Sequence, residues 1–219
     1  MSEFIVYSAP GSPFGRAVLA TLIEKGGTYR FSPVMPGTLR NEPHILRHPF
    51  GRVPVLEHAG FVLYETQAIL RYLDRVLGGT SLTPSDAKAA GRMDQVMNVC
   101  DWYLFRDVNA VIGFQRIIAP RLLGLQTDEK AIAEAMPKGH TTFRELSRLL
   151  GGQPYFAGDN LSLADLQIAP HIDFLSATPE WQSLTVDTPN LVAWLQRMNA
   201  RDSFVATTWE RVAKLTEAA

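Results

Sequence analysis

The β-prone runs of this chain all lie no later than residue 65, and from residue 86 onward apolar residues recur only at helical spacing. Strands interleaved with helices throughout would point to one continuous α/β sheet. Strands confined to one end instead require a small sheet-bearing unit followed by a helical one. We therefore expect an α/β unit over residues 1–79, a linker over 80–86 and an all-α unit over 87–219. A length of 219 residues suits two small domains.

Within the first unit, Phe4, Ile5, Val6 and Tyr7 form a short strand ended by the Pro10–Gly11 breaker. Ser12 before Pro13 reads as a helix start, with serine as N-cap and proline at the first helical position. Phe14, Val18, Thr21 and Leu22 recur at helical spacing until Gly26 and Gly27. A second β-prone piece spans residues 29–32. The run VPVLEHAGFVLYE reads as an antiparallel hairpin turning at Gly60. Thr66 is then expected to cap a helix carrying Ile69, Leu70 and Leu73.

In the second half, Met93, Val96, Met97, Cys100, Leu104, Val108 and Val111 trace one helical stripe. A further helix over 128–150 should bend or break at Pro137 and Gly139. The segment DNLSLADL carries a helix start in which Ser162 is the N-cap, Asp165 returns a bond, and Leu161 and Leu166 form a staple. Pro170 should kink that helix. A last clear helix begins after Pro189, with Leu191, Trp194, Leu195 and Met198 on one side.

Composition excludes several functions. Hydrophobic residues make up 46% and charged residues 20%, enough apolar material for a packed core. A net charge of −1, without a run of five or more like charges, argues against nucleic acid and against a polybasic membrane patch. No stretch approaches the roughly 18 apolar residues of a membrane span. One cysteine, Cys100, cannot form an internal disulfide, and the N-terminus shows no basic region of an export signal. A cytoplasmic setting is the expectation.

Three motifs stand in order in the first half: YSAPGSPFGRAV, HPFGRVPVL and LYETQAILRYL. FAGDNLSLADLQIA and TPNLVAWLQRMNARDSF follow in the second. Together they resemble the soluble glutathione S-transferases, in which a thioredoxin-like domain of mixed sheet and helices precedes an all-helical domain. In serine-type members of that family, the serine at the position of Ser12 lowers the pKa of the glutathione thiol. A bare N-cap is the alternative for Ser12, and Tyr7 is the rival thiol activator, standing where tyrosine-type members keep their hydroxyl. The resemblance implies a cis peptide at Val53–Pro54, with Val53 pairing to the cysteinyl backbone of glutathione. The alternative is a trans proline opening an edge strand. Glu65 and Thr66 would hold the γ-glutamyl end, and Arg52 and Arg40 the glycyl carboxylate. Asp101 is similar in placement to an acidic residue that reaches the neighbouring subunit's glutathione, and Trp102, Tyr103 and Arg106 stand on the helix that walls the electrophile pocket, with packing beside the apolar stripe as the alternative for the aromatics.

His44 and His48 are four apart, but no third ligand accompanies them and Pro49 disfavours helix at His48, so no metal is expected. The resemblance implies a cytoplasmic detoxification enzyme with glutathione as co-substrate, a hydrophobic electrophile as partner and a homodimeric assembly. Phe50 either anchors that dimer or packs inside its own subunit. Two other readings remain open: a glutathione-binding regulatory protein with little turnover, or a glutathione-dependent isomerase or peroxidase.

Overall fold

The computed structural model describes residues 3–217. Strands β1 (Phe4–Ser8), β2 (Tyr29–Pro33), β3 (Val55–His58) and β4 (Phe61–Tyr64) form one sheet in the order β2-β1-β3-β4. β1 and β2 run parallel because the crossover between them is helix α1 (Pro13–Glu24). β1 and β3 are antiparallel, as are β3 and β4. The hairpin turns through Ala59 and Gly60, both at positive φ, which suits the twist of a two-residue connection. One turn of helix, α2 (His44–Arg47), lies between β2 and β3, and α3 (Thr66–Val76) follows β4.

Side-chain alternation divides the sheet into two faces. Tyr7 opposes Val55, which opposes Tyr64, and these pack with Val34, Ile5, Leu39 and Val53 on one side. Phe4, Val6 and Leu56 point to the other side and are buried. Helices α1 and α3 pack against each other. After α3 the chain is pinned rather than loose. Asp74 accepts hydrogen bonds from Lys25 Nζ, the Leu82 N–H and the Thr83 and Ser81 hydroxyls, at 2.7–3.3 Å. Burial opposes ionisation of this carboxylate, yet the donors outweigh it and hold its pKa below the ordinary value.

The described residues group into two compact units. One contains those up to Thr83 together with those from Asn199, and the other is Pro84–Met198. The second unit is helical, with a long element of two windings. α4 (Ala87–Val99) continues without interruption into a π-helical stretch, Cys100–Ile118, and then α5 (Ala119–Leu123). The change of winding corrects the expected stripe. Met93, Val96, Met97, Cys100, Leu104 and Val108 are buried as expected, but Val111 is only half-buried and Ile112 takes the core position. A π-helix closes i→i+5 bonds, as Ala119 N–H to Phe114 O does here, so its inward positions fall further apart than 3.6-residue spacing puts them.

Helix α6 (Glu129–Leu150) runs unbroken through Pro137, so of the bend or break expected there the break does not occur. Gly139 is there for space: a Cβ on it would stand 2.7 Å from Leu184 Cδ2 of α8 (Trp181–Thr185). α7 (Leu163–Ser176) likewise continues through Pro170. Its start is organised by Asp165, a fully buried carboxylate that accepts from the Ser162 N–H and hydroxyl, the Phe156 N–H and Trp194 Nε1 of α9 (Pro189–Asn199).

The chain then returns to the first unit as α10 (Asp202–Ala206) and α11 (Trp209–Glu217). Arg201 grips Glu24 at the end of α1 through two bonds of 2.7 and 2.8 Å, and the Ser203 hydroxyl adds a third. Near the start of α1, Arg16 donates to the Phe204 carbonyl at 3.2 Å and lies over its ring.

Candidate active site

The site is built outward from the end of β1. Gly11 has φ +81°, a left-handed turn that favours glycine, and it delivers Ser12 to the N-cap of α1. The Ser12 N–H bonds back to the Ala9 carbonyl at 3.1 Å. Its hydroxyl oxygen accepts from the Gly15 N–H at 3.2 Å. An oxygen that accepts keeps its own hydrogen to donate, so this serine caps the helix and still offers a proton outward. Gly15 allows the first turn to press on β1, since a Cβ there would lie 2.1 Å from Ser8 Oγ. The N-terminal N–H groups and the helix dipole favour an anion at this point.

Tyr7 presents a different picture. Its hydroxyl donates to Glu57 Oε2 at 2.9 Å. Burial, and then this bond, push the phenol pKa up, while Arg47, whose guanidinium lies 4.2 Å over the ring, works partly the other way. Glu57 is absent from the family-like motifs, and only the strand register reveals the pairing.

The loop before β3 gathers several expected residues. The Val53–Pro54 peptide is cis. His44 Nε2 lies 2.7 Å from the Arg52 carbonyl oxygen, which can only accept, so that nitrogen carries the proton. Gly51, at φ +62°, has the Arg40 side chain alongside: a Cβ there would lie 3.1 Å from Arg40 Cγ. Arg40 and Arg52 thus flank one turn, both exposed. The buried His48 ring lies against Tyr64, with centroids 4.6 Å apart, and its pKa is lowered chiefly by burial. Among the described residues no group of three or more His, Cys, Asp or Glu is placed to hold a metal ion. Phe50 is 64% exposed and makes edge contacts with His48 and Tyr64.

At the other end of the hairpin the structure corrects one expectation. The N-cap of α3 is Glu65, and Thr66 is its first helical residue. Glu65 sits at φ +70° and ψ +114°, outside the usual left-handed region, a conformation costly for a side-chain-bearing residue. Such strain concentrates where a ligand is clamped. Its side chain is exposed and the buried Thr66 follows, so a carboxylate and a helix N-terminus stand together.

On the helical unit, Trp102 and Tyr103 are more than half exposed, and Arg106 lies 5.5 Å over the Trp102 ring. Asp101 is half-buried, and its Oδ1 accepts from Gln167 Nε2 of α7 at 2.7 Å. Gln167 is not legible in the sequence, because a buried glutamine on an apolar helix has no signature of its own.

Comparison with known proteins agrees with this architecture. Residues 6–81 match the glutathione S-transferase N-terminal domain, and residues 105–202 match the glutathione S-transferase C-terminal domain. The chain is 33% identical over 199 residues to glutathione S-transferase hmp2 of Hypomyces subiculosus, covering 88% of this chain and 92% of that protein. It is 32% identical over 197 residues to a glutathione S-transferase of Hyoscyamus muticus, with the same coverage of 88% and 92%. Among solved structures, glutathione S-transferase I bound with lactoylglutathione superposes with a TM-score of 0.82 at 30% identity, covering 98% of this chain and 100% of that one. Glutathione transferase F7 from Populus trichocarpa does so with a TM-score of 0.82 at 28% identity, covering 97% and 98%.

The fold is therefore that of a thioredoxin-like, thiol-handling enzyme with an appended all-helical domain. The chain belongs to the glutathione S-transferase family and is a glutathione transferase.

Proposed function

We propose that this enzyme is a serine-type glutathione transferase, in which the Ser12 hydroxyl donates to the sulfur of bound glutathione and holds it as thiolate. A free thiol with a pKa of about 8.5 is only about 3% ionised at pH 7. Lowering that pKa by about 2 units, an effect worth roughly 2.7 kcal/mol, makes most of it thiolate. The thiol proton leaves to solvent, and the thiolate then attacks an electrophilic carbon whose leaving group departs with the bonding pair. No covalent bond to the enzyme forms, and rate comes from the activated nucleophile and from proximity. The observation that carries this reading is the direction of the Ser12 bond, which accepts from Gly15 and leaves its hydrogen for a ligand.

Glutathione would lie along the first unit. Val53 offers its backbone to the cysteinyl residue beside Pro54, in the manner of an added strand. Glu65 accepts from the γ-glutamyl amino group, while Thr66 and the N-terminus of α3 receive the γ-glutamyl carboxylate. Arg40 and Arg52 take the glycyl carboxylate, for which a guanidinium is suited. The exposed rings of Trp102 and Tyr103, with Arg106, receive the apolar electrophile. The enzyme would act as a cytoplasmic homodimer through Phe50. In that dimer Asp101 would share its carboxylate between Gln167 and the neighbouring subunit's glutathione.

The deciding experiment is the pH dependence of kcat/KM for a model aromatic electrophile in wild type and Ser12→Ala. Loss of the low-pKa thiolate in the variant is the expected result. An unchanged profile would remove Ser12 from the mechanism.

A further inference from the structure

We propose that Trp209 is a positioning residue for catalysis: through Gly11 it fixes the turn that presents Ser12 to the glutathione sulfur. The inference rests on the reading of Ser12 given above. A Cβ built on Gly11 would stand 2.3 Å from Trp209 Cδ2 and 2.6 Å from both Cε2 and Cε3. The fused edge of the indole therefore lies flat on the α-carbon of the residue preceding Ser12. Gly11 is constrained twice, by its φ of +81° and by this ring.

The segment that leads into Trp209 is itself held at two points along α1. Glu24, near the end of the helix, is bonded by Arg201 and Ser203. Arg16, in its second turn, is bonded to the Phe204 carbonyl. α11 begins at Trp209, only a few residues beyond Phe204. The C-terminal return thus grips the far end of α1, then its early turns, and at Trp209 reaches the turn before its N-cap. That turn is short: the Ser12 N–H closes back on the Ala9 carbonyl at 3.1 Å. With the indole removed, the turn is free to shift, and a hydroxyl displaced by a fraction of an ångström stabilises a thiolate less well.

The test compares Trp209→Ala, Trp209→Phe and Ser12→Ala in the full-length protein. Trp209→Ala should lower kcat/KM at neutral pH by about tenfold and move its pH profile toward base by roughly one unit, the equivalent loss in thiol pKa. Trp209→Phe, which keeps a ring on Gly11, should restore most of both. A residue that only stabilised the fold would lower active enzyme without moving the profile. A folded Trp209→Ala with wild-type kcat/KM and pH profile overturns the proposal, whereas a wild-type profile in Ser12→Ala defeats the Ser12 reading instead. Should Trp209→Ala not fold, 5-fluorotryptophan labelling of the wild-type chain decides. The fluorine resonance assigned to Trp209, by its loss in Trp209→Phe, should shift on saturation with glutathione. A stationary resonance overturns the proposal.

Discussion

The phenol of Tyr7 donates to Glu57, two residues along β3 from its cross-strand neighbour Val55, at 2.9 Å on the same face of the sheet. To serve a thiolate, Tyr7 would have to abandon a charged acceptor, for which hydrogen bonds are worth about 1.5–3 kcal/mol. Ser12 has no such prior commitment of its proton. Initial-rate kinetics should therefore rank the two hydroxyls. Ser12→Ala is expected to lose about 10- to 1000-fold in turnover. Tyr7→Phe should lose less than about tenfold, and the reverse order would transfer thiol activation to Tyr7.

Asp165 and Ser162 should differ in what their removal costs. Loss of the Ser162 hydroxyl removes one cap contact, typically about 1 kcal/mol. Loss of the Asp165 carboxylate leaves the Phe156 N–H, the Ser162 N–H and Trp194 Nε1 without their acceptor inside the protein. Each buried donor left unsatisfied costs about 1–3 kcal/mol, so Asp165→Ala should destabilise by about 3 kcal/mol or more. Thermal denaturation reads both variants, and equal melting temperatures for the two would refute the ordering.

Stability should decline as pH falls below 6.5. His171, fully buried on α7, has its pKa lowered from 6.5 to about 3 by burial. The unfolded chain binds a proton below pH 6.5 that the folded one refuses, so stability is full above that pH and is lost as pH falls toward 3. The slope from this one group is about 1.4 kcal/mol per pH unit. Urea unfolding between about pH 4 and about pH 7 checks it. His171→Asn should flatten the dependence, and an unaltered slope would assign it elsewhere.

Phe50 is expected to hold the dimer. Its ring contacts are with His48 and Tyr64 on its own loop and hairpin, which leaves most of the side chain outside. A buried interface aromatic is worth about 2 kcal/mol or more. Phe50→Ala should sediment toward monomer at micromolar concentration while keeping its circular dichroism. A dimer that persists in the variant, or a wild-type monomer, would count against it.

What could be read from the residues was the part governed by local rules. The strands, the turn at Gly60, the Ser12 cap before Pro13 and the Ser162–Asp165 start all follow from side-chain chemistry within a few positions. Serine and threonine are the usual caps, so the sequence favours Thr66 over the actual cap, Glu65. Here the turn leaving β4 forces Glu65 into a conformation that no propensity favours. Ile112 for Val111 reflects a change of winding, which a fixed 3.6-residue period cannot anticipate. Pro137 and Gly139 read as breakers, yet α8 uses the space that Gly139 leaves. Trp209 carried no signal, since its meaning depends on a glycine almost the whole chain away.

The C-terminal return also bears on how the protein is made. A ribosome releases the sheet, α1 and α3 long before it reaches Arg201, Phe204 and Trp209. Until then Glu24, Arg16 and Gly11 lack the partners that they hold in the finished chain. The thiol-handling unit is therefore the first to be translated and the last to be completed, and nascent chains halted before residue 200 should emerge with Ser12 present and the C-terminal support of α1 and Gly11 absent.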